Sequence, residues 1–293
     1  MPTLKINPCY DDLTFEELLN CKKLTDDKIM KQYKNLIKYK CDTNKRAFVG
    51  NKILYHYQFE ELLDTKRDVK NYKTIREIFN DPILKKKWVD YTIKINRRPK
   101  CDEITSNDVF ECYRRCKGSV VFFKPITTKY LCKKFNATKV LDFTAGWGGR
   151  LLGARSLGLD YIGIDTNTNL KEGYDKMIEK FGGKMIYKSC LDVDFSEIDY
   201  DFVLTSPPYF NIELYNNMKP FESEKIFYEE FLIPMINKSL KHIKNDGSVC
   251  INISNYMYDL YVKYGGVKCK STIDLLQQMG GKKNKEMIYV FKN

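Results

Sequence analysis

Residues 205–210 read Thr-Ser-Pro-Pro-Tyr-Phe and end a buried-looking run, YDFVLT. Pro207 and Pro208 fix their own φ angles, donate no backbone hydrogen bond and hold Ser206 extended, so the backbone here is close to rigid. A rigid strand end can present a hydroxyl, a carbonyl and an aromatic ring to a ligand. An ordinary loop exit would use the same residues. A second stretch, DFTAGWGGR at 142–150, follows another apolar run. Gly146, Gly148 and Gly149 let the backbone turn tightly and approach a ligand without intervening side chains. A dinucleotide fingerprint would need glycine where Leu151 stands, and a phosphate loop would need Gly-Lys-Ser/Thr where Gly149-Arg150-Leu151 stands. The loop therefore suits a ligand that needs a close backbone rather than a phosphate cradle. Two carboxylates complete the set. Asp165 follows Gly146 by 19 residues, where an acid at a strand tip accepts from a ribose diol, and Asp192 follows the next apolar run.

These groups need strands to carry them. From residue 119 onward, short apolar runs alternate with helical stretches: VVFF, KVLDF, YIGID, KMIY, YDFVLT, SVCINI and MIYVF are the expected strands. Alternation of this kind predicts a parallel α/β sheet with helices on both faces, whose ligands sit at the carboxyl ends of the strands. The first 117 residues read as helices instead. Thr14 with Glu17 and Thr74 with Glu77 have capping-box spacing, and Asp81-Pro82 offers an N-cap followed by proline at the first helical position. The expected division is a basic helical region, 1–117, and a catalytic domain, 118–293.

Charge and cysteine content narrow the partners. The chain of 293 residues carries a net charge of +12, and its first hundred residues hold 23 basic against 14 acidic side chains. That surplus, with Lys85 to Lys87, Arg97-Arg98 and Arg114-Arg115 prominent, fits a polyanionic partner. Ten cysteines form no metal spacing, the histidines are His56 and His242, and no metal is expected. No signal peptide or membrane-spanning apolar run is read from the sequence. The expectation is free thiols in a reducing intracellular compartment, cytoplasm or nucleus/nucleoid, in a protein that is not secreted. The sequence points to no particular protein partner.

DFTAGWGG followed about sixty residues later by TSPPY resembles the S-adenosylmethionine-dependent amino-methyltransferases that modify exocyclic amines of DNA bases. The resemblance covers roughly residues 118–293 and implies a Rossmann-like class I methyltransferase sheet preceded by a helical segment. It assigns S-adenosylmethionine to Asp142, Thr144, Ala145, Gly146, Gly148, Asp165 and Asp192, with Lys124 and Pro125 nearest the methionine end. It assigns catalysis to Ser206, Pro207, Pro208 and Tyr209. The commoner loop has Pro-Phe after the aspartate, where this chain has Phe143-Thr144, and a small residue where Trp147 stands. Trp147 could cap the cofactor or pack. Ser at the first motif position favours the cytosine 4-amino group over the adenine 6-amino group. The DNA would be duplex with the base flipped out, or single-stranded, and a companion restriction nuclease stays open. The alternatives are an RNA methyltransferase of the same fold, a protein glutamine methyltransferase, and an inactive nucleic-acid-binding partner. Residues 210–224 are expected to form a substrate-side loop.

Overall fold

The computed structural model describes residues 8–41, 47–65, 73–117, 120–210, 220–244, 246–275 and 286–292. Seven strands form one sheet: β1 (Lys139–Asp142), β2 (Asp160–Asp165), β3 (Lys184–Tyr187), β4 (Phe202–Thr205), β5 (Ser248–Ser254), β6 (Ser271–Asp274) and β7 (Glu286–Phe291). Their order is β3-β2-β1-β4-β5-β7-β6, parallel through β5 and antiparallel at β7 and β6. This is the mostly parallel α/β sheet that the alternation of strands and helices predicts. The chain runs outward from β1 to β3 and then returns to lay β4 on the other side of β1. The reversal opens a crevice at the carboxyl ends of β1 and β4. β4 and β5 are buried along their whole length, as central strands covered on both faces must be.

Two expectations need correction. Val120-Val121-Phe122-Phe123 pairs with no strand of the sheet. Phe122 is buried and packs on Trp147 of the glycine loop at 5.4 Å between ring centroids, while Val121 is 72% exposed. The sheet also has an edge strand, β6, that was not anticipated. Its sequence, Ser-Thr-Ile-Asp, lacks an apolar run because an exposed edge has no second neighbour to bury against.

The chain divides into two compact units, residues 1–25 with 58–121, and residues 26–57 with 122–293. Residues 26–57 thus belong with the sheet, although by position they fall in the expected N-terminal region. The side chain of Lys129 explains part of this. It is 1% exposed and its ammonium donates to the carbonyls of Leu36 and Ile37, both at 2.6 Å, and of Tyr39 at 3.0 Å. These are orphan acceptors at the end of the helix Asp26–Lys38, where a cation is favoured.

The first unit is helical, and its caps follow the sequence. Thr14 Oγ1 accepts from Glu17 N at 3.0 Å, Thr74 and Glu77 form a complete capping box, and Asp81 accepts from Ile83 and Leu84 ahead of the helix Pro82–Asn96. Leu18, Ile78, Phe79, Val89 and Phe110 lie in its core. Cys101 is disulfide-bonded, so the expectation that every thiol is free does not hold; eight other described cysteines are free. Among the described residues no helix is long and apolar enough to cross a membrane.

Candidate active site

The loop after β1 is wired at almost every residue. Asp142 is fully buried and forms an ion pair with Arg150, whose Nε donates to Oδ2 at 2.6 Å. Tyr161 of β2 donates to the same oxygen at 2.8 Å, and Thr205 of β4 donates to Oδ1 at 2.9 Å. Burial and the neighbouring Asp142 charge push the Tyr161 phenol well above its ordinary pKa, which keeps it a donor. Burial opposes the Arg150 charge, but Asp142 together with Tyr161 and Tyr174 outweighs it and the guanidinium stays protonated. Its other arm donates to the Thr144 carbonyl, and Tyr174 donates to the Ala145 carbonyl at 3.1 Å. Asp142 is thus buried among Arg150, Tyr161 and Thr205, which tie it to the loop's frame.

Two glycines show what the loop is shaped for. A Cβ on Gly149 would lie 1.8 Å from the Phe123 carbonyl oxygen, so the chain at Phe123 and the start of the helix Gly149–Arg155 pack backbone to backbone. Gly146 sits at φ +57°, and a Cβ there would meet nothing nearer than 3.7 Å. The backbone at Gly146 is thus turned and open, as close approach by a ligand requires. Gly148 follows at φ +87° and opens the helix. Trp147 is buried against Phe122.

At the tip of β2, Asp165 is half-buried. Its Oδ2 accepts from Gly146 N at 2.7 Å and its Oδ1 from Asn167 N at 2.9 Å. Burial raises its pKa, and these backbone donors oppose the shift. Each carboxylate oxygen retains a lone pair, so a diol can still be accepted. Asp192 lies exposed in the turn Cys190–Asp192 after β3. Lys124, half-buried, places its Nζ 4.2 Å from the Phe48 ring centroid; Pro125 is buried and opens the helix Pro125–Lys134.

The loop and the diproline stretch meet through a threonine pair. Thr205 Oγ1 accepts from Thr144 N at 3.1 Å and lies 2.6 Å from Thr144 Oγ1. One residue on, Ser206 is half-buried with its Oγ 3.4 Å from the Asn252 carbonyl and 3.5 Å from Asn252 Oδ1. Both partners are acceptors, so the serine hydroxyl points its proton at β5 and keeps lone pairs for another donor. Asn252 Nδ2 donates to the Met287 carbonyl at 3.2 Å, which turns Oδ1 toward Ser206. Pro207 is buried, Pro208 is half-buried, and Tyr209 packs half-buried against the sheet's core. Phe210 then stands at φ +47°, with its N–H returned to the Pro208 carbonyl at 3.1 Å. A non-glycine residue held in this region stores local strain, which concentrates at functional sites.

No protein-family model and no curated protein sequence matches the chain. Among solved structures, it is similar to TehB from Haemophilus influenzae, with 15% identity and a TM-score of 0.38, covering 62% of this chain and 66% of that one. An RNA methyltransferase from Salinibacter ruber in complex with S-adenosyl-L-homocysteine aligns at 15% identity and 0.38, over 59% of this chain and 93% of the other. An S-adenosylmethionine-dependent methyltransferase from Clostridium acetobutylicum gives 12% and 0.43, over 64% and 98%.

Arg150, Thr205 and Asn252 were not anticipated as parts of the site. Arg150 had a visible signal, a basic residue eight positions after a strand-end aspartate inside a glycine loop. Asn252 also had one, a lone amide within the otherwise apolar run of β5. Of the expected substrate-side loop, residues 211–219 lie outside the described residues.

Proposed function

We propose that the chain is an S-adenosylmethionine-dependent methyltransferase acting on an exocyclic amine of a DNA base, with the cytosine 4-amino group favoured over the adenine 6-amino group. The observation that carries this reading is the hydrogen-bonded junction of Thr144 and Thr205, which joins the open glycine loop to Ser206-Pro207-Pro208-Tyr209 at the sheet's switch point. The residues present suit the cofactor. Gly146 leaves open backbone, Asp165 has spare lone pairs for a ribose diol, and Asp192 is exposed where an adenine amine would lie. Lys124 and Pro125 would stand toward the methionine end. When bound, the cofactor supplies a sulfonium methyl group as electrophile.

The protein's task is to make a poor nucleophile available. A base amine delocalises its lone pair into the ring. Acceptance of its two hydrogens by Ser206 Oγ and the Pro207 carbonyl would draw the nitrogen toward tetrahedral geometry and free the lone pair. Both acceptors sit on backbone that proline stiffens, so their placement costs little reorganisation during reaction. Tyr209 would stack on the base, which must leave its helix to reach this depth. The amine's proton departs to water after the nitrogen–methyl bond forms and the sulfur–methyl bond breaks. On this reading basic residues of the N-terminal region 1–117 contact the DNA.

The test is label transfer. Wild type with methyl-labelled S-adenosylmethionine should mark cytosine-containing DNA, with the label recovered as N4-methylcytosine by mass spectrometry of digested nucleosides. Label on adenine overturns the cytosine preference, label only on an RNA of the same sequence overturns the DNA assignment, and label on neither overturns the catalytic reading.

A further inference from the structure

The helix Pro82–Asn96 and the segment behind it carry seven basic residues and one acidic residue between positions 85 and 100. The structure sorts these charges. Lys86 pairs with Asp90 at 2.8 Å, Lys85 donates to the Leu13 carbonyl at 3.3 Å, and Arg98 reaches Asp108 and the Glu103 carbonyl. Lys87, Lys94, Arg97 and Lys100 are exposed and form no ion pair among the described residues. The only nearby acid on this helix, Asp90, already has a cation. This face keeps its positive charge.

The same face also presents one exposed aromatic ring, Tyr91. Positions 87, 88, 91, 94 and 95 share one side of a helix, because three- and four-residue steps return to the same face. Tyr91 is 42% exposed and Ile95 43% exposed, each beside a free lysine. Trp88 backs the Tyr91 ring edge-on at 5.7 Å, and Tyr113 backs Trp88 in the same manner at 4.9 Å. The exposed ring is thus buttressed by two others, so a planar ligand stacked on it would order little that is not ordered already. An exposed, buttressed aromatic ring flanked by unpaired cations is what an unpaired base on a phosphate backbone requires. Duplex DNA offers the phosphates but hides the base faces.

We infer that this face binds single-stranded DNA, with an unpaired base on Tyr91 and phosphates at Lys87, Lys94 and Arg97. The inference rests on the nucleic-acid reading of the site and names the form of substrate it favours. It also divides the basic residues of this region into working and structural sets, which composition alone cannot do.

The experiment measures binding of a fluorescein-labelled mixed-pyrimidine 15-mer to the full chain by anisotropy, without cofactor, across a salt series. Tyr91→Ala should weaken single-stranded binding about five- to 150-fold, the range set by loss of one stacked base, with the salt slope retained. Lys87→Gln with Lys94→Gln should flatten the slope by more than one phosphate equivalent. Lys86→Gln, which removes a paired cation, should leave the slope unchanged. Wild-type affinity and slope in both the Tyr91 and the double variant would overturn the inference. So would equal losses on single strand and duplex, or a preference for RNA of the same sequence. Because no turnover is read, the result stands apart from label transfer. S-adenosylhomocysteine affinity, unchanged in these variants, distinguishes a lost surface from a misfolded chain.

Discussion

The loop 142–150 and the diproline stretch 205–210 are neighbours, yet they are held by different means. Every turn of the loop is fastened by side chains: Asp142 to Arg150, Tyr161 and Thr205, Arg150 to Thr144, Tyr174 to Ala145, and Asp165 to Gly146. Beyond Thr205 the described contacts of the diproline stretch include long ones from Ser206 to Asn252, a short-range bond from Phe210 N to the Pro208 carbonyl, and packing of the Phe210 ring edge-on to Phe227 at 6.1 Å. Its stiffness is covalent. A ligand cradle built from glycines has no intrinsic preference for one shape and must be fixed from outside, at the expense of burying an ion pair. Prolines restrict the chain in the unfolded state as well and need no such support. The Ser206 hydroxyl, whose proton points at Asn252, therefore keeps lone pairs for another donor.

The largest break in this comparison comes from the ion pair. Asp142→Ala leaves a buried guanidinium without its partner, a loss of about 3–5 kcal/mol in unfolding free energy. Denaturant titration should show it as a lower midpoint with a similar slope. Ser206→Ala should leave that midpoint in place. Its effect falls on turnover, where loss of an oriented acceptor raises the barrier by about 2–4 kcal/mol. A single-turnover rate with wild-type cofactor affinity is the expected pattern.

A smaller effect sharpens the junction. Thr205→Val keeps the shape of the side chain but withdraws a donor from Asp142 and an acceptor from Thr144 N. A cost of about 1–3 kcal/mol in stability follows for the groups left unsatisfied. Turnover should fall as well, since the loop and the stretch lose their shared anchor.

The smallest effect is one of pH. Burial raises the Asp165 pKa above the ordinary carboxylate value, so the folded apo protein gives up stability as pH rises through that raised value. Cofactor binding runs the other way. The ribose diol needs the ionised acceptor, and affinity should fall as pH drops through the same window. Asp165→Asn should remove both trends, which calorimetry and thermal melts at matched pH can compare.

Much of this was legible in the residues. Six of the seven strands are apolar runs that must be buried somewhere, and the caps at Thr14, Thr74 and Asp81 announce themselves by spacing. Strand-end polar groups are readable because a parallel sheet delivers its ligand contacts there. What escaped has a common cause. VVFF looks like a strand because it is apolar, but it pairs with no strand; its Phe122 is buried against Trp147 while Val121 is exposed. β6 has no apolar signal because it lies at an edge. The grouping of residues 26–57 with the sheet is secured in part by one buried lysine meeting three carbonyls 90 to 93 residues away, a contact that no local pattern encodes. Arg150 was read only as a departure from a phosphate loop, whereas its partner lies eight residues earlier.

The division of labour between the two stretches is tested most directly by titrating S-adenosylmethionine into wild type, Asp165→Ala and Ser206→Ala by calorimetry. The account predicts one-site binding to wild type, an affinity loss of about 1–3 kcal/mol for Asp165→Ala, the scale of a lost charged hydrogen bond, and no loss for Ser206→Ala. Wild-type affinity in Asp165→Ala, or an equal loss in both variants, would contradict it.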